Sequence, residues 1–435
     1  MPRPVTEEYR FGPFLLDPVR GRLRREKSKV SADMRLIRLL VALVERRGRM
    51  VSREFLQRKL WPGHQNLRDG NLDVLVCHVR KLLRDNPRNP RFIRTHRTRG
   101  YQFVCPVGTI PALATDKIAR SRAIAACEKA RHRWSLRTPA TIRESIQLYK
   151  QAIKEDPTFA LAWSGRADAW IMAGVHCLVP PAEAFLRARS DATDALRITP
   201  NLPEAIISEA WVKLCFDRDI EGARKEFEAA LRRKPEYPFT HNGLTLLHIA
   251  NGQPQRAAVS MQKAWTLRAS SPFLNALLAD SLYHARNYER AAERGRLAIE
   301  FDPDLAIGHA CVGRILLQQG HFTEAVKHLE RARDLSGGSH VMLGFLAYGY
   351  ALTGKMSEAR RILKDFLKQR STKTQYVPAF FVALAYVGLG DRKRAFAEIR
   401  RAVEERSHWV LFLKTDPMFD PLRQDRRFLS VVKMI

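Results

Sequence analysis

Basic, amide and imidazole side chains cluster between residues 71 and 99. Asn71, Val74, His78 and Lys81 are spaced i, i+3, i+7 and i+10, so they would share one face of a helix. An asparagine can pair bidentately with adenine, and a valine can contact the methyl group of thymine. This spacing predicts a helix face that reads base edges in a major groove. For His78, a base or phosphate contact and a solvent-exposed position both stay open.

Two groups of basic side chains could neutralise phosphates beside that face. They lie on the same helix and on the hairpin that follows it, at Arg80, Lys81, Arg84, Arg94, Arg97 and Arg99. A basic helix face alone is more often simply solvated. A basic helix followed directly by a basic hairpin favours a DNA surface, because the hairpin can reach the adjacent minor groove.

The charge of the chain is concentrated in the same region. The formal net charge is +30, and residues 1–107 contribute +15 of it, from 25 Lys and Arg against 10 Asp and Glu. A general preference for arginine in a GC-rich genome would explain a basic chain, but not this concentration. Half of the excess charge lies in a quarter of the chain, which favours a polyanionic partner for that quarter.

Hydrophobic spacing predicts the elements that must position these residues. Apolar residues recur at helical spacing over 34–46 and 71–84, and in a second helix between them that has Ser52 as N-cap and ends at Pro62-Gly63. Alternating residues between turn signals predict strands at 9–17, 22–30, 91–95 and 101–104. Gly100 is expected to permit the turn HRTRG of the last pair. Strands, three helices and a basic hairpin together predict an α+β winged helix-turn-helix.

Residues 5–106 resemble the OmpR/PhoB-type winged-helix DNA-binding domain of bacterial transcription regulators. The resemblance lies in four linked segments, VSREFLQRKLW, LDVLVCHVRKLL, NPRFIRT and RTRGYQF. It implies that Arg53 and Trp61 contact DNA phosphates and that 71–84 is the recognition helix. It also implies that Arg97 and Tyr101 are the arginine and tyrosine of the wing.

The chain departs from that family at positions expected to touch DNA. Cys77 and His78 stand where polar or basic base-reading groups are common, and Thr98 stands where the wing often has glycine. These departures imply a different sequence readout, while Arg99 adds charge to the wing. They also motivate an alternative function, a protein-interaction scaffold whose winged helix has lost specific DNA binding.

After a predicted linker at 107–117, small residues recur every 34 residues. One series includes Ala223, Ala257, Ala291, Ala325 and Ala359, and a second, seven residues later, includes Ala230, Ala264, Ala298 and Ala332. Paired helices pack closely where small side chains let the backbones approach, and this period is the signature of tetratricopeptide repeats. The sequence predicts an all-α superhelix of about eight units over 118–406, followed by a C-terminal cap over 407–435.

The array resembles the tetratricopeptide region of bacterial one-component regulators that begin with the same winged helix. It is closer to the soluble HilA-like kind than to the membrane-bound CadC kind. The groove of such a solenoid binds peptides or proteins. We expect the array to sense or dock a partner, RNA polymerase among the candidates. A rigid scaffold for self-association is the alternative.

The sequence contains none of the nucleotide-binding, zinc-protease or serine-hydrolase motifs. We therefore predict no enzyme activity and no catalytic, cofactor-binding or metal-binding residues. Six scattered cysteines are typical of a reducing cytosol. The N-terminus lacks an apolar signal core, and the longest apolar stretches are too short to span a membrane. We expect a cytoplasmic, nucleoid-associated protein without a membrane partner.

Together these features predict a sequence-specific DNA-binding transcription regulator of the one-component type. Its expected partners are double-stranded DNA, a protein or peptide in the repeat groove, and a second copy of the chain on DNA. No phosphoacceptor domain precedes the winged helix in this sequence. Regulatory input is therefore expected to enter through the C-terminal three quarters.

Overall fold

The structure is a computed structural model. It describes residues 7–18, 21–26, 28–30, 32–60, 70–111, 114–373 and 375–435. The chain divides into two compact units. The first comprises the residues up to Arg122 together with Asp156–Thr158, and the second comprises the remainder up to Ile435.

The first unit contains eight strands among the described residues. They are β1 (Glu7–Phe11), β2 (Phe14–Asp17), β3 (Arg22–Arg25), β4 (Ser28–Val30), β5 (Met50–Ser52), β6 (Ile93–His96), β7 (Gly100–Phe103) and β8 (Gly108–Pro111). They form two antiparallel sheets, of order β4-β3-β2-β1-β8 and β5-β7-β6.

Three helices complete the winged helix, and the predicted periodicity is confirmed in each. They are α1 (Met34–Val44), α2 (Arg53–Leu60) and α3 (Gly70–Leu83). Their apolar faces pack against phenylalanine rings from the strands and against Phe92, the residue before β6. Ser52 caps α2 as predicted, because its Oγ accepts a hydrogen bond from the backbone N–H of Phe55 at 3.3 Å.

Three details differ from the sequence-based expectation. The strand β8 pairs with β1 inside the segment 107–117 that was predicted to be a linker, and α4 of the array begins at Ala114 within it. The strand β5, not predicted, pairs with β7. Met34, predicted to lie on the buried face of α1, is exposed.

The second unit is a succession of helix pairs. Its helices, with α4 beginning in the first unit, are α4 (Ala114–Ser135), α5 (Pro139–Glu155), α6 (Ala160–Val175), α7 (Pro181–Ile198), α8 (Pro203–Val212), α9 (Ile220–Arg233), α10 (Pro238–Ala250), α11 (Pro254–Leu267), α12 (Pro272–His284), α13 (Tyr288–Phe301), α14 (Ala306–Gln318), α15 (Phe322–Leu335), α16 (His340–Leu352), α17 (Met356–Thr372), α18 (Ala379–Gly388), α19 (Arg392–Glu404) and α20 (Arg426–Val432). A π-helical turn, Lys213–Asp217, extends α8. Within the described residues, α4 to α19 form eight consecutive pairs.

The 34-residue series of alanines lies where these helices pack, on the second helix of each pair. Every alanine of both series is fully buried. The large side chains three residues before the second alanine fill the space between pairs, as predicted: a Cβ added to Gly165 would lie 2.3 Å from the Tyr149 ring, and one added to Gly243 would lie 2.4 Å from Phe227. The predicted fold class, a winged helix-turn-helix followed by an all-α repeat array, is confirmed.

We call the first helices of the pairs from α6 onward the inner helices, and residues 407–423 the strap. The strap contacts the inner helices α6, α10, α12, α14, α16 and α18. Two 3-10 helices, His408–Phe412 and Pro417–Leu422, form most of the strap. Trp409 donates a hydrogen bond from Nε1 to the Val175 carbonyl at 3.0 Å and packs against Phe345 and Phe381. The predicted C-terminal cap therefore reaches well beyond the last repeat and occupies the inner side of the array.

A buried ion cluster joins the strap to the middle of the array. Asp416 accepts hydrogen bonds from Tyr283 Oη at 2.9 Å and from Arg314 Nη2 at 3.3 Å. Arg314 Nη1 also donates to Asp280 at 2.6 Å. Burial alone would lower the pKa of Arg314, but Tyr283, Asp280 and Asp416 raise it above its ordinary value. The guanidinium stays charged and ties the strap to α12 and α14.

None of the helices that the structure describes combines the length and the apolar character needed to cross a membrane.

Candidate nucleic-acid interface

The helix α3 has one buried and one exposed face. Leu72, Val76, Val79 and Leu83 are buried in the core, as predicted from their spacing. The exposed side chains include Val74, Cys77, His78 and Lys81, at spacings of three, one and three residues, and also Asp73, which pairs with Arg53. Val74 is exposed, so its methyl groups are available to contact a thymine methyl.

Five exposed cations on α3, in the turn after it and on the hairpin have no counter-ion in the described part of the chain. Lys81, Arg84, Arg94, Arg97 and Arg99 are exposed, and among the described residues none of them has an ion-pair partner. Arg84, Arg97 and Arg99 lie in two turns, in which Arg84 and Thr98 have positive φ, of 54° and 61°. The arrangement leaves a positive surface on α3 and on the hairpin β6–β7, suited to phosphates.

The hairpin turn consists of Arg97, Thr98 and Arg99, and its left-handed residue is Thr98. Gly100, predicted to permit this turn, follows it with a φ of 155°, which side chains rarely adopt, and it also has a second role. A Cβ at Gly100 would lie 2.0 Å from the Val51 carbonyl oxygen, so glycine is needed where β7 meets β5. The family's usual wing glycine is thus replaced here by a β-branched residue in a backbone conformation that such residues rarely adopt.

Two residues predicted to contact DNA, Arg53 and Tyr101, have partners inside the domain. Arg53 forms an ion pair with Asp73 and donates from Nη1 to Tyr101 Oη at 3.1 Å, and Tyr101 in turn hydrogen-bonds Asp73. Tyr101 is buried, and burial together with the Asp73 hydrogen bond raises its pKa well above the ordinary value. This cluster joins the start of α2, the first turn of α3 and β7.

Arg80 also acts inside the domain. Its Nη2 donates to the Ile93 carbonyl and to Thr95 Oγ1, both at 2.8 Å, so its guanidinium connects α3 to β6. The geometry gives Arg80 a positioning contact between the helix and the wing. Its predicted role as a phosphate contact stays a prediction.

Asp85, which the sequence reasoning missed, fixes the wing to the end of α3. Its Oδ1 accepts from the backbone N–H groups of Arg91 at 2.7 Å and Phe92 at 3.2 Å, and its Oδ2 accepts from Ile93 at 2.9 Å. A carboxylate that satisfies three backbone donors holds the start of β6 firmly. An aspartate directly after a helix and before an Asn-Pro turn is the signal that could have identified it.

Two predicted site residues cannot be placed. Trp61 lies outside the described residues, and for Asn71 only the backbone, within α3, is described. The predicted roles of both in contacting phosphate and adenine stay predictions.

Comparison with known proteins bears on the same segment. Residues 27–103 match the family model described as transcriptional regulatory protein, C terminal. This part of the chain is similar to that family. The match spans β4 to β7 and includes α3 and both strands of the hairpin, so it covers the surface described above.

Two curated relatives match in this region. The cholera toxin homolog transcriptional activator of Vibrio parahaemolyticus is 31% identical over 80 residues, which are 18% of this chain and 27% of the relative. The transcriptional regulatory protein RstA of Escherichia coli is 29% identical over 93 residues, 21% of this chain and 39% of the relative. The chain thus spans well under half the length of either relative.

Solved structures resemble each part of the chain. The RstA DNA-binding domain of Klebsiella pneumoniae, in complex with the RstA box, is 28% identical and covers 22% of this chain and 96% of its own, with a TM-score of 0.21. YrrB, a tetratricopeptide-repeat protein, is 19% identical and covers 45% of this chain and 95% of its own, with a TM-score of 0.30.

Proposed function

We propose that this chain is a sequence-specific, DNA-binding transcription regulator whose repeat array receives the regulatory input. The observation that carries the proposal is the exposed face of α3, with Val74, His78 and Lys81 in one row, inside a segment that matches a family of transcriptional regulators. A helix presented in this way fits the major groove, and the adjacent basic hairpin fits the neighbouring minor groove.

The charges support separate roles for three groups of residues on this surface: contact with phosphates, contact with bases, and contacts within the domain. Lys81, Arg84, Arg94, Arg97 and Arg99 have no ion-pair partner among the described residues, so they are available to phosphates. Val74 and His78 are exposed on α3 and are available to base edges. Arg53, Arg80 and Tyr101 hold α2, α3 and the wing in register.

Finer parts of the proposal concern location and partners. We expect the protein in the cytoplasm, bound to DNA as pairs of chains, with RNA polymerase as a candidate partner of the array. Paired winged helices on one face of a duplex require half-sites about 10 base pairs apart. A repeated motif at that spacing among selected sequences therefore tests the pairing.

The test is selection from a genomic DNA library by the full-length chain, followed by affinity measurements on the enriched sequence. We expect selective enrichment, and weaker binding of Arg97→Ala with a salt dependence reduced by about one phosphate contact. His78→Ala should change the preferred sequence more than the affinity. Arg232→Ala, which removes an equally exposed charge from α9, is the matched control and should bind as the parent does.

The alternative scaffold function makes the opposite prediction. A winged helix that has lost specific DNA binding would enrich no sequence above a heparin-competed background. That outcome would remove the proposed function.

A further inference from the structure

The array encloses a cavity of about 140 Å³ between the inner helices and the strap. Its lining is mostly apolar and aromatic, with Trp211, Leu277, Ala310 and Phe345 from the inner helices and Trp409 and Phe412 from the strap. An apolar protein cavity of roughly 150 Å³ is known to accept benzene. The space therefore matches one small ring or a short hydrocarbon.

Three buried polar atoms on the lining residues have no hydrogen-bond partner among the described residues. They are Trp211 Nε1, His284 Nε2 and Arg314 Nε, and their residues are at most 4% exposed. An unsatisfied buried polar group costs about 1–3 kcal/mol. Indole and guanidinium nitrogens can only donate, so at least two of the three atoms need an acceptor.

The charges around the cavity indicate an uncharged occupant. Arg314 already pairs with Asp280 and Asp416, so these three groups together carry one excess negative charge. A carboxylate or phosphate would be repelled by that excess and would find no unpaired cation. The same excess would attract an ammonium group, but an ammonium only donates hydrogen bonds and would leave Trp211 Nε1 and Arg314 Nε without an acceptor.

We propose that the cavity is a binding chamber for a small uncharged molecule, with a hydrocarbon body of about the size of benzene and a carbonyl or hydroxyl oxygen as hydrogen-bond acceptor. The occupant would contact the inner helices and the strap together, because both contribute walls. Lining residues such as Asn242, Leu277 and Asp280 are partly exposed, so solvent reaches part of the lining. The chamber itself stands on the geometry of the array, and only its use as an effector site rests on the proposed regulatory function.

Calorimetric titration of the full-length chain with four single-ring compounds tests the ligand class. The probes are benzamide, toluene, benzoate and benzylamine, which share the ring and differ in acceptor and charge. We expect benzamide to bind with a dissociation constant below about 1 mM, since nine non-hydrogen atoms readily supply the roughly 4 kcal/mol required. Toluene, lacking an acceptor, should bind about 3- to 10-fold more weakly. Benzoate and benzylamine should not bind measurably.

Ala310→Leu tests the location, because Ala310 lines the cavity and the larger side chain fills it. This variant should lose benzamide binding, while Val259→Leu, on the exposed side of α11, should keep it.

A second pair of variants does not depend on how well the core tolerates leucine. Trp211→Phe removes the unpartnered indole N–H and should weaken benzamide about 3- to 10-fold, with toluene little affected. Trp134→Phe removes an unpartnered indole N–H outside the cavity and should change neither.

Several results would overturn the chamber. They are the absence of benzamide binding to the parent, binding that persists in Ala310→Leu, equal effects of Trp211→Phe and Trp134→Phe, and tighter binding of benzoate or benzylamine than of benzamide. DNA selection with the same preparation separates this failure from that of the proposed function. A protein that enriches one DNA sequence but binds no probe retains its regulatory function and lacks the chamber.

Discussion

Cys77 is exposed on the face of α3 that we propose reads DNA, next to His78. The other five cysteines are buried or partly buried. Burial raises the pKa of the Cys105 and Cys311 thiols and raises that of Cys215 to about 12, which disfavours their reactive thiolates. Cys77 is therefore a selective chemical probe of the interface.

We predict that a polyethylene-glycol maleimide labels Cys77 first and that the labelled protein loses DNA binding. The physical reason is steric, because the attached polymer would stand between α3 and the groove. After the same treatment with the reagent, the variant Cys77→Ser should bind DNA as the untreated parent does. Full DNA binding by a protein labelled stoichiometrically at Cys77 would exclude this face of α3 from the interface.

Residue type alone did not separate arginines that face solvent from arginines that hold the domain together. Arg53, Arg80 and Arg97 look alike in the sequence, yet Arg53 pairs with Asp73, Arg80 reaches the Ile93 carbonyl, and Arg97 stays exposed. The partners of the first two lie 13 to 48 residues away. Such contacts depend on tertiary packing, which local spacing does not encode.

At the scale of elements, the recognition surface depends on how the hairpin β6–β7 is held against α3. Asp85 accepts three backbone hydrogen bonds at the start of β6, and Arg80 bonds the same strand from the middle of α3. The distance between the reading face and the wing arginines is thus set by two side chains that need not touch DNA.

We predict that Asp85→Ala destabilises the wing by about 2–4 kcal/mol, because it leaves backbone donors without acceptors. Hydrogen exchange at the amides of Arg91, Phe92 and Ile93 should become much faster, and DNA affinity should fall. Arg88→Ala, in the exposed turn between α3 and β6, is the control and should leave these amides protected. Unchanged protection in Asp85→Ala would contradict the assigned role.

Periodic elements were predictable, and short pairing elements were not. The buried face of α3 and the repeat helices follow from apolar and alanine spacing that persists over several turns. The strand β5 has three residues, and β8 is formed by the four residues GTIP, so neither has a detectable period. Each exists because a distant strand supplies its hydrogen-bond partners: β7 for β5, and β1 for β8.

At the scale of the repeat array, the strap joins residues that are far apart in sequence. Asp416 binds Tyr283 and Arg314, and Asp420 pairs with Arg286. The contacts of Asp416 are buried, while the side chains of Arg286 and Asp420 are 47% and 38% exposed. These two carboxylates, four residues apart, allow a matched comparison.

We predict that Asp416→Ala lowers the free energy of unfolding of the array by about 3 kcal/mol, because it removes one of two carboxylates from a buried arginine. Asp420→Ala should cost less than about 1 kcal/mol, since solvent screens the exposed pair. Chemical denaturation of both variants measures the difference. Equal losses would show that the buried cluster contributes no more than a surface ion pair.

Buried ionisable groups predict opposing pH effects on the array. Burial, with Arg218 and His176 nearby, holds the pKa of His408 well below 6.5. Below about pH 6.5 the unfolded chain therefore takes up a proton at His408 that the folded chain does not, and the free energy of unfolding falls. Burial raises the pKa of Asp168 to about 7. As the pH falls, the folded chain therefore takes up a proton at Asp168 before the unfolded chain does, and the free energy of unfolding rises by about 2 kcal/mol from about pH 7.5 to 5.5.

Two substitutions separate these effects. His408→Gln should reduce the loss of stability on acidification from about pH 7.5 to 5.5, and Asp168→Asn should increase it. His321→Gln, at an exposed position on the array, should leave the pH dependence as in the parent. Denaturation at both pH values measures the slopes, and a parallel shift of all three variants would contradict the assignment.

The path of the strap could not be predicted from the sequence. Its contacts join Ser407 to Arg218, Trp409 to Val175 and Thr415 to His284 across 131 to 234 residues. The sequence pattern indicated where the repeats end, but it contained no signal for the helices that receive the remaining residues.

The strap also limits how this protein can evolve. An open solenoid can gain or lose a repeat at modest cost, because each unit contacts only its neighbours. Here, deleting or duplicating one helix pair would move Val175, Tyr283 or Arg314 away from its partner on the strap. Homologues that keep the strap should therefore keep the same number of helix pairs between α6 and α18, and variation in length should be confined to loops.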